Sequence, residues 1–509
     1  MSTVNVGQGG QYATVYDALA ANQTNLCVIS NVVETASWLF KNLEYSIQIV
    51  PSATIMYTGT GPLITTDSDV NAFAIAISGG TIIMEYAQYI TDTNSVNGSC
   101  VKLEFVTLIL KAVSNYFSSS ILLLLQCNIT CNTLFLSDSD GTVVTADKNT
   151  ISGNVILSNQ GYENIQVRLT NGIVYGSVTL YTNAFDLDLN SRSKFPILYT
   201  VDNNTIGILG LNNDNTTANV AYFSGLSLEG NTIGNLFVNS DIPVGVAFSN
   251  LTNNTITDNN LAINDYSSWC SLFMVSMSLN SFETEVHIGN VLYSVINDNA
   301  FLDVIIGDND LAAGSLNRSR FIDNTMNTFI INPGLSVGTD LESNEILSTN
   351  SNAFVVNGDL EECLVSDNKI SGNLIFNGKM LNDTVKGNDV SIIYYNGVVD
   401  GDTLTEQINT SVIFNAIASH LSINDTRSCT LTFNSALSSS IISSNFTLVA
   451  LFKDKVSSTI ISSNIGEGSL TFKSKISSSQ IVHNIYMKIN LKKNCKSIVA
   501  DNILHKHCK

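Results

Sequence analysis

The sequence predicts an all-β chain folded as a right-handed parallel β-helix solenoid with a short N-terminal capping helix. Three observations carry this expectation. Asparagines recur at regular steps between apolar residues, short β-branched runs are split by Asn, Gly and Ser, and a Gly-rich turn near the start leads into a short amphipathic stretch.

The repeat comes first. An apolar residue three positions before an Asn and another two after it recurs in copies such as VDNNTI, FIDNTM and VSDNKI, at Asn183, Asn204, Asn231, Asn254, Asn280, Asn299, Asn324, Asn344, Asn368, Asn388 and Asn415. The steps run from 19 to 27 residues and average about 23, within the range of solenoid repeats. Single copies carry no weight in so Asn-rich a chain; the recurrence does. The two apolar positions are five apart, so on a straight strand they would face opposite sides, and both turn inward only if the backbone bends between them. Asn suits the bend because it tolerates the left-handed region and bonds locally, and stacked amides bond along the axis.

The strands come next. Near the end the repeat tightens to Asn445, Asn464, Asn484 and Asn502, at steps of 19, 20 and 18 residues. Ile442, Ile461, Ile481 and Val499 then form one expected inward column, and Phe446, Ile465, Ile485 and Ile503 a second. Such coils are too short for helix pairs, and the L-x-x-L-x-L skeleton of leucine-rich repeats is absent from the sequence. With strands about 4.8 Å apart, 18 to 20 coils would give a rod roughly 90 Å long. The expected division is a cap over residues 1–24, coils of about 20–27 residues over 25–435, and tighter lysine-rich coils over 436–509.

The N-terminal element rests on VNVGQGGQYATVYDALAANQTNLCVISNVVETA, which resembles the N-terminal cap of the pectin-lyase-like β-helix superfamily. The resemblance covers about the first 65 residues and implies a helix over Val15 to Ala21 covering the open end of the solenoid, where a bare strand edge would invite aggregation. It implies a fold and no activity.

Composition narrows the function classes. Of 509 residues 44% are hydrophobic and only 13% charged, so uncharged Asn, Ser and Thr must supply most surface polarity. A net charge of -20 argues against general nucleic-acid binding, which needs clustered Lys and Arg. No secretory signal is expected in the opening residues, and the apolar stretch Ala112 to Ser137 reads as buried strands rather than a membrane span. Nine cysteines without paired spacing, Cys127 and Cys131 among them, read as buried thiols.

Members of the superfamily that cleave polysaccharides use calcium-bound Asp clusters with an Arg base, or sets of two or three carboxylates. The Asn-Thr-Asp, Asp-Asp, Gly-His-Gly and Arg-Ile-Lys motifs of the polygalacturonase type are absent from this sequence. Asp186 and Asp188 share a strand face, and a solvated face is the ordinary reading. Asp298, Asp323 and Asp367 each precede a repeat Asn, as turn chemistry favours. Arg318 and Arg320 sit near Asp323 as an expected surface ion-pair site. His505, His507 and Cys508 lack a fourth ligand. Trp38 and Trp269 are far apart in sequence. No catalytic residue, cofactor or metal is therefore expected.

The expectation is a non-enzymatic structural component of a virus particle, a minor capsid or surface protein assembled in host cytoplasm. A polysaccharide-binding or polysaccharide-cleaving β-helix is the alternative. Expected partners are other structural proteins or copies of itself, with glycan as a further possibility. From Leu451 onward ten lysines face three acids, a balance of +7 that leaves -27 upstream. Lys473, Lys475, Lys488 and Lys492 alternate with apolar residues and should project outward as a partner contact.

Overall fold

The computed structural model describes residues 2–41, 43–66, 70, 72–92, 98–136, 143–157, 166–182, 198–213, 221–224, 226–239, 244–247, 249–260, 271–307, 315–491 and 496–503. Two compact units divide the chain, Met1–Tyr266 and Ser267–Lys509. Each is a parallel β-solenoid.

In the first unit Val4–Val6 pairs with Asn25–Val28, which pairs with Glu44–Ile49, then Ala72–Ser78 and Gly98–Glu104, every pairing parallel. A second sheet stacks Val32–Glu34, Thr54–Tyr57, Thr81–Met84, Thr107–Leu110 and Asn128–Leu136 in the same way. Strand burial alternates, as in eBeBeB over Glu44–Ile49, so one face of each sheet fills the core. The short helix spans Val15–Ala20, one residue less than expected, because Ala21 is already its C-cap. Thr14 caps its start, accepting the Asp17 N–H at 3.0 Å. The buried carboxylate of Glu34 accepts the Val15 and Tyr16 N–H groups at 2.5 and 3.3 Å, satisfying donors a helix start leaves open. Val15, Ala18 and Leu19 are buried, and the helix packs on Asn25–Val28 and Trp38–Phe40.

In the second unit the described coils before Asp359 cross both sheets as two short strands, and those from Asp359 to Phe472 cross one sheet as two short strands and the other as one longer strand. Leu437–Ser438, Ile441–Ser443 and Val449–Phe452, for example, pair with Val456–Ser457, Ile460–Ser462 and Ser469–Phe472 of the next coil. An aromatic column fills its later core: Phe376, Tyr395, Phe414, Phe433, Phe452 and Phe472 stack with centroids 4.5–5.2 Å apart. Parallel in-register pairing imposes this, since the strand spacing of about 4.8 Å matches the separation of stacked rings.

The bend lies one residue earlier than the sequence implied. The left-handed backbone belongs to the residue before the Asn of the inner ladder: Asn203, Asn253, Asp298, Asp323, Ser343, Asp367, Ser444 and Ser463 all have φ between 54° and 59°. Asp, Asn and Ser there tolerate the left-handed region through local hydrogen bonding, and the Asn that follows turns its amide into the core.

The second expected inward column is also corrected. Ile442, Ile461 and Ile481 are fully buried, but Phe446, Ile465 and Ile503 are 54%, 44% and 56% exposed and form an outer row of single bridges that includes Ile485. From Gln407 onward a second left-handed residue follows the first, at Asn409, Ser428, Thr447 and Tyr486. It moves the inward side chain from two to three positions past the repeat residue, to Thr410, Cys429, Leu448 and Met487. Val499, in the last described coil, is 40% exposed.

Candidate functional site

The chemistry of this molecule is concentrated in columns of side chains that run from coil to coil. The principal one is a buried amide ladder. Asn299 donates both its backbone N–H and Nδ2 to Oδ1 of Asn324 (3.1 and 3.0 Å), and Asn324 repeats the pattern with Asn344 at 3.1 Å. Nδ2 of Asn324 also reaches the carbonyls of Ile296 and Ile322 at 2.9 Å. The left-handed bend breaks the strand ladder at this position, and the amide of the next coil supplies the acceptor that the backbone N–H would otherwise lack.

Asn204, Asn231 and Asn254 form this ladder in the first unit. Asn280, Asn299, Asn324, Asn344, Asn368 and Asn388 form it in the second, and Asn445, Asn464, Asn484 and Asn502 carry it on. Asn183 lies outside the described residues. Asn415 is not part of this column. It is exposed and belongs to an outer row in which Asn357, Asn377, Asn396, Asn415 and Asn434 pass Nδ2 to Oδ1 at 2.6–2.7 Å. Its place inside is taken by Gln407 and Thr426, the latter bonded to Oδ1 of Asn445 at 3.1 Å through its N–H and 2.8 Å through Oγ1. Sequence reasoning also missed Asn149, whose Oδ1 accepts the Cys127 N–H at 2.9 Å, although ADKNTI fits the repeat.

A second inner column follows the other bend of the coil and was missed altogether. Its residues are small and mixed: Val275, Ser294, Ser319, Thr339, Cys363, Asp383, Asp402, Leu421, Ser440, Thr459 and Ser479. Ser294 accepts the Val275 N–H at 3.0 Å and Ser440 that of Leu421 at 3.1 Å, so the hydrogen bond recurs with varied acceptors and lapses at Leu421, whose side chain has none. Two carboxyl groups sit in this column. Oδ1 of Asp383 accepts the Cys363 N–H and Oδ1 of Asp402 the Asp383 N–H, both at 2.8 Å. Oδ2 of Asp402 is buried without a hydrogen-bond partner among the described residues. Burial pushes Asp383 up to about 6 and Asp402 up to about 8, the latter also raised by the Asp383 charge.

The other candidates are dispersed. Asp298, Asp323 and Asp367 are exposed bend residues. Arg320 pairs with Asp340 of the next coil at 3.3 Å rather than with Asp323, and Arg318 lies 5.8 Å over the Tyr293 ring. Cys127 is a buried ladder residue donating to the Leu103 and Leu125 carbonyls, and burial raises the Cys131 thiol to about 11. Trp38 is fully buried in the core. Asp186, Asp188, Trp269, His505, His507 and Cys508 lie outside the described residues. Among the described residues no helix is long and apolar enough to cross a membrane.

Of the four lysines singled out, Lys473 and Lys475 share one exposed corner with Lys453 and Lys455 of the preceding coil. Lys488 is exposed at the opposite end of the adjoining strand row, opposite Ser469, and Lys492 lies outside the described residues. A surface cleft of about 480 Å³ opens where the coil outline changes between Asn388 and Gln407. Lys369, Ser371, Asp389, Ser391, Glu406, Ile408 and Asn409 are among its lining residues.

Neither a protein-family model nor a curated protein sequence matches this chain.

Proposed function

We propose that this chain is a non-enzymatic structural component of a virus particle, a minor capsid or surface protein, and a divergent member of the pectin-lyase-like right-handed β-helix superfamily. The observation that carries the reading is the pair of buried polar columns in the second unit, whose amide ladder ties coil to coil from Asn280 to Asn388 and again from Asn445 to Asn502 through side chains as well as backbone. Such coupling suits a body that bears load and presents rows of side chains at fixed spacing. The acidic outer rows and the lysine corner of that unit supply surfaces for neighbouring proteins.

The test is to raise antibodies against the purified chain and probe particles purified from cells that produce it. The reading expects the chain in the particle at fixed stoichiometry after detergent and salt washing. Recovery only in the soluble cell fraction would contradict it. A second reading, glycan binding, draws on the cleft beside Asn409, where hydroxyls, amides and carboxylates flank the apolar Ile408.

A further inference from the structure

We propose that the lysine corner docks on the acidic bend row of a second copy of this chain. The inference deepens the structural reading by naming a partner, and it rests on that reading only for its biological setting.

The basic side is two columns on adjacent coils. Lys453 and Lys473 follow the buried, stacked Phe452 and Phe472, and Lys455 and Lys475 lie two residues further on. Their backbones are fixed: the Lys453 and Lys473 N–H groups donate to the Phe433 and Phe452 carbonyls at 2.9 and 2.8 Å. The Lys455 and Lys475 carbonyls accept from Leu437 and Val456 at 3.0 and 3.1 Å. All four side chains are exposed, and the exposed Asp454 between Lys453 and Lys455 accepts the Lys455 N–H at 2.7 Å and leaves the corner net positive. Lys453 and Lys473 stand where the preceding coils carry Asn415 and Asn434, so the neutral outer amide row gives way to cations.

The acidic side is the exposed row at the other sheet-to-sheet bend, where Asp298, Asp323, Asp367, Glu406 and Asp425 occupy the left-handed position and Ser343 and Gly387 interrupt them. It is equally rigid, since the N–H groups of Asp298, Asp323 and Asp367 donate to carbonyls of the following coil at 3.2, 3.1 and 2.9 Å. Both rows repeat with the coil, so both advance by about 4.8 Å per step. The adjacent-coil pairs Asp298–Asp323 and Glu406–Asp425 therefore offer carboxylates at the same single-coil step as Lys453–Lys473 and Lys455–Lys475 on a second copy. The patches differ, so the contact is heterologous and propagates into chains of copies. At about 0.15 M salt the Debye length of roughly 8 Å screens the overall repulsion between two acidic bodies more than it screens contacts at hydrogen-bond distance.

Sedimentation velocity of the full chain tests this. Wild type should associate with rising concentration at about 0.15 M salt and revert to monomer at about 1 M. Changing Lys453, Lys455, Lys473 and Lys475 to Glu should abolish association, as should changing Asp298, Asp323 and Asp425 to Lys. A mixture of the two variants should associate again, because each retains the patch the other needs. Circular dichroism melting confirms that the surface variants remain folded. A wild type that stays monomeric, association indifferent to the lysine changes, or a mixture that does not recover would overturn the proposal. So would binding of monomeric wild type to duplex DNA or phosphatidylserine vesicles through the same lysines. Particle labelling is a separate readout, so failure of self-association leaves the particle assignment to stand or fall by itself.

Discussion

Asp402 shows how a single side chain sets a property of the folded state. It fills a position where most other coils place Ser, Thr, Cys, Val or Leu, and its second oxygen is buried without a hydrogen-bond partner among the described residues. A bare carboxylate there is costly, so the proton is held: Asp402 is raised to about 8 and Asp383 to about 6. Both bind protons more tightly folded than unfolded. Their contribution to stability is therefore complete below the unfolded value of about 4 and lost as pH rises through about 6 and then about 8. Asp402→Asn removes the charge while keeping an acceptor for the Asp383 N–H. Its melting temperature should exceed wild type most at about pH 9 and lose that advantage by about pH 5. A constant difference across that range would contradict this.

At the scale of the coil, the sequence was legible where one residue type does one job. The amide ladder needs a donor and acceptor of one length, so Asn recurs and its spacing exposes the repeat. The bend was placed one residue late because Asn suits both the left-handed position and the amide position, and only the backbone separates them. Gln407 and Thr426 hid two coils, since a longer amide or a hydroxyl can fill the same place. The second column was illegible because Ser, Thr, Cys, Asp, Val and Leu all meet its one demand, a buried side chain after a bend. Phe446 illustrates the remaining error: an added left-handed residue, Thr447, turns the side chain before it outward. The sites outside the core were least legible, since Lys453 and Lys455 join Lys473 and Lys475 only through the pairing of coils. Stacking distinguishes Phe414 from Phe446. Phe414→Ala should cost about 3 to 5 kcal/mol in urea unfolding, because it opens a hole in a fully buried column with neighbours 4.7 and 4.6 Å away. Phe446→Ala should cost less than about 1 kcal/mol. Equal costs would contradict the assignment of inward and outward columns.

For the molecule as a whole, each unit repeats one solution: parallel strands supply most coil-to-coil bonds, and buried side chains take over where the backbone bends. Gly378 and Gly397 show how closely the coils approach, since a Cβ on either would strike the carbonyl oxygen of the glycine one coil earlier. The account depends on the amide ladder as a structural spine, and the most direct test compares one buried amide with one exposed amide by urea unfolding. Asn324→Leu removes an acceptor shared by two donors of Asn299 and leaves the Ile296 carbonyl short of its partner. It should destabilise the second unit by about 2 to 4 kcal/mol, the cost of stranding several buried polar groups. Asn415→Leu, in the exposed outer row, should cost less than about 1 kcal/mol. Losses of similar size at the two positions, or none at Asn324, would contradict the claim that the buried amides hold the coils together.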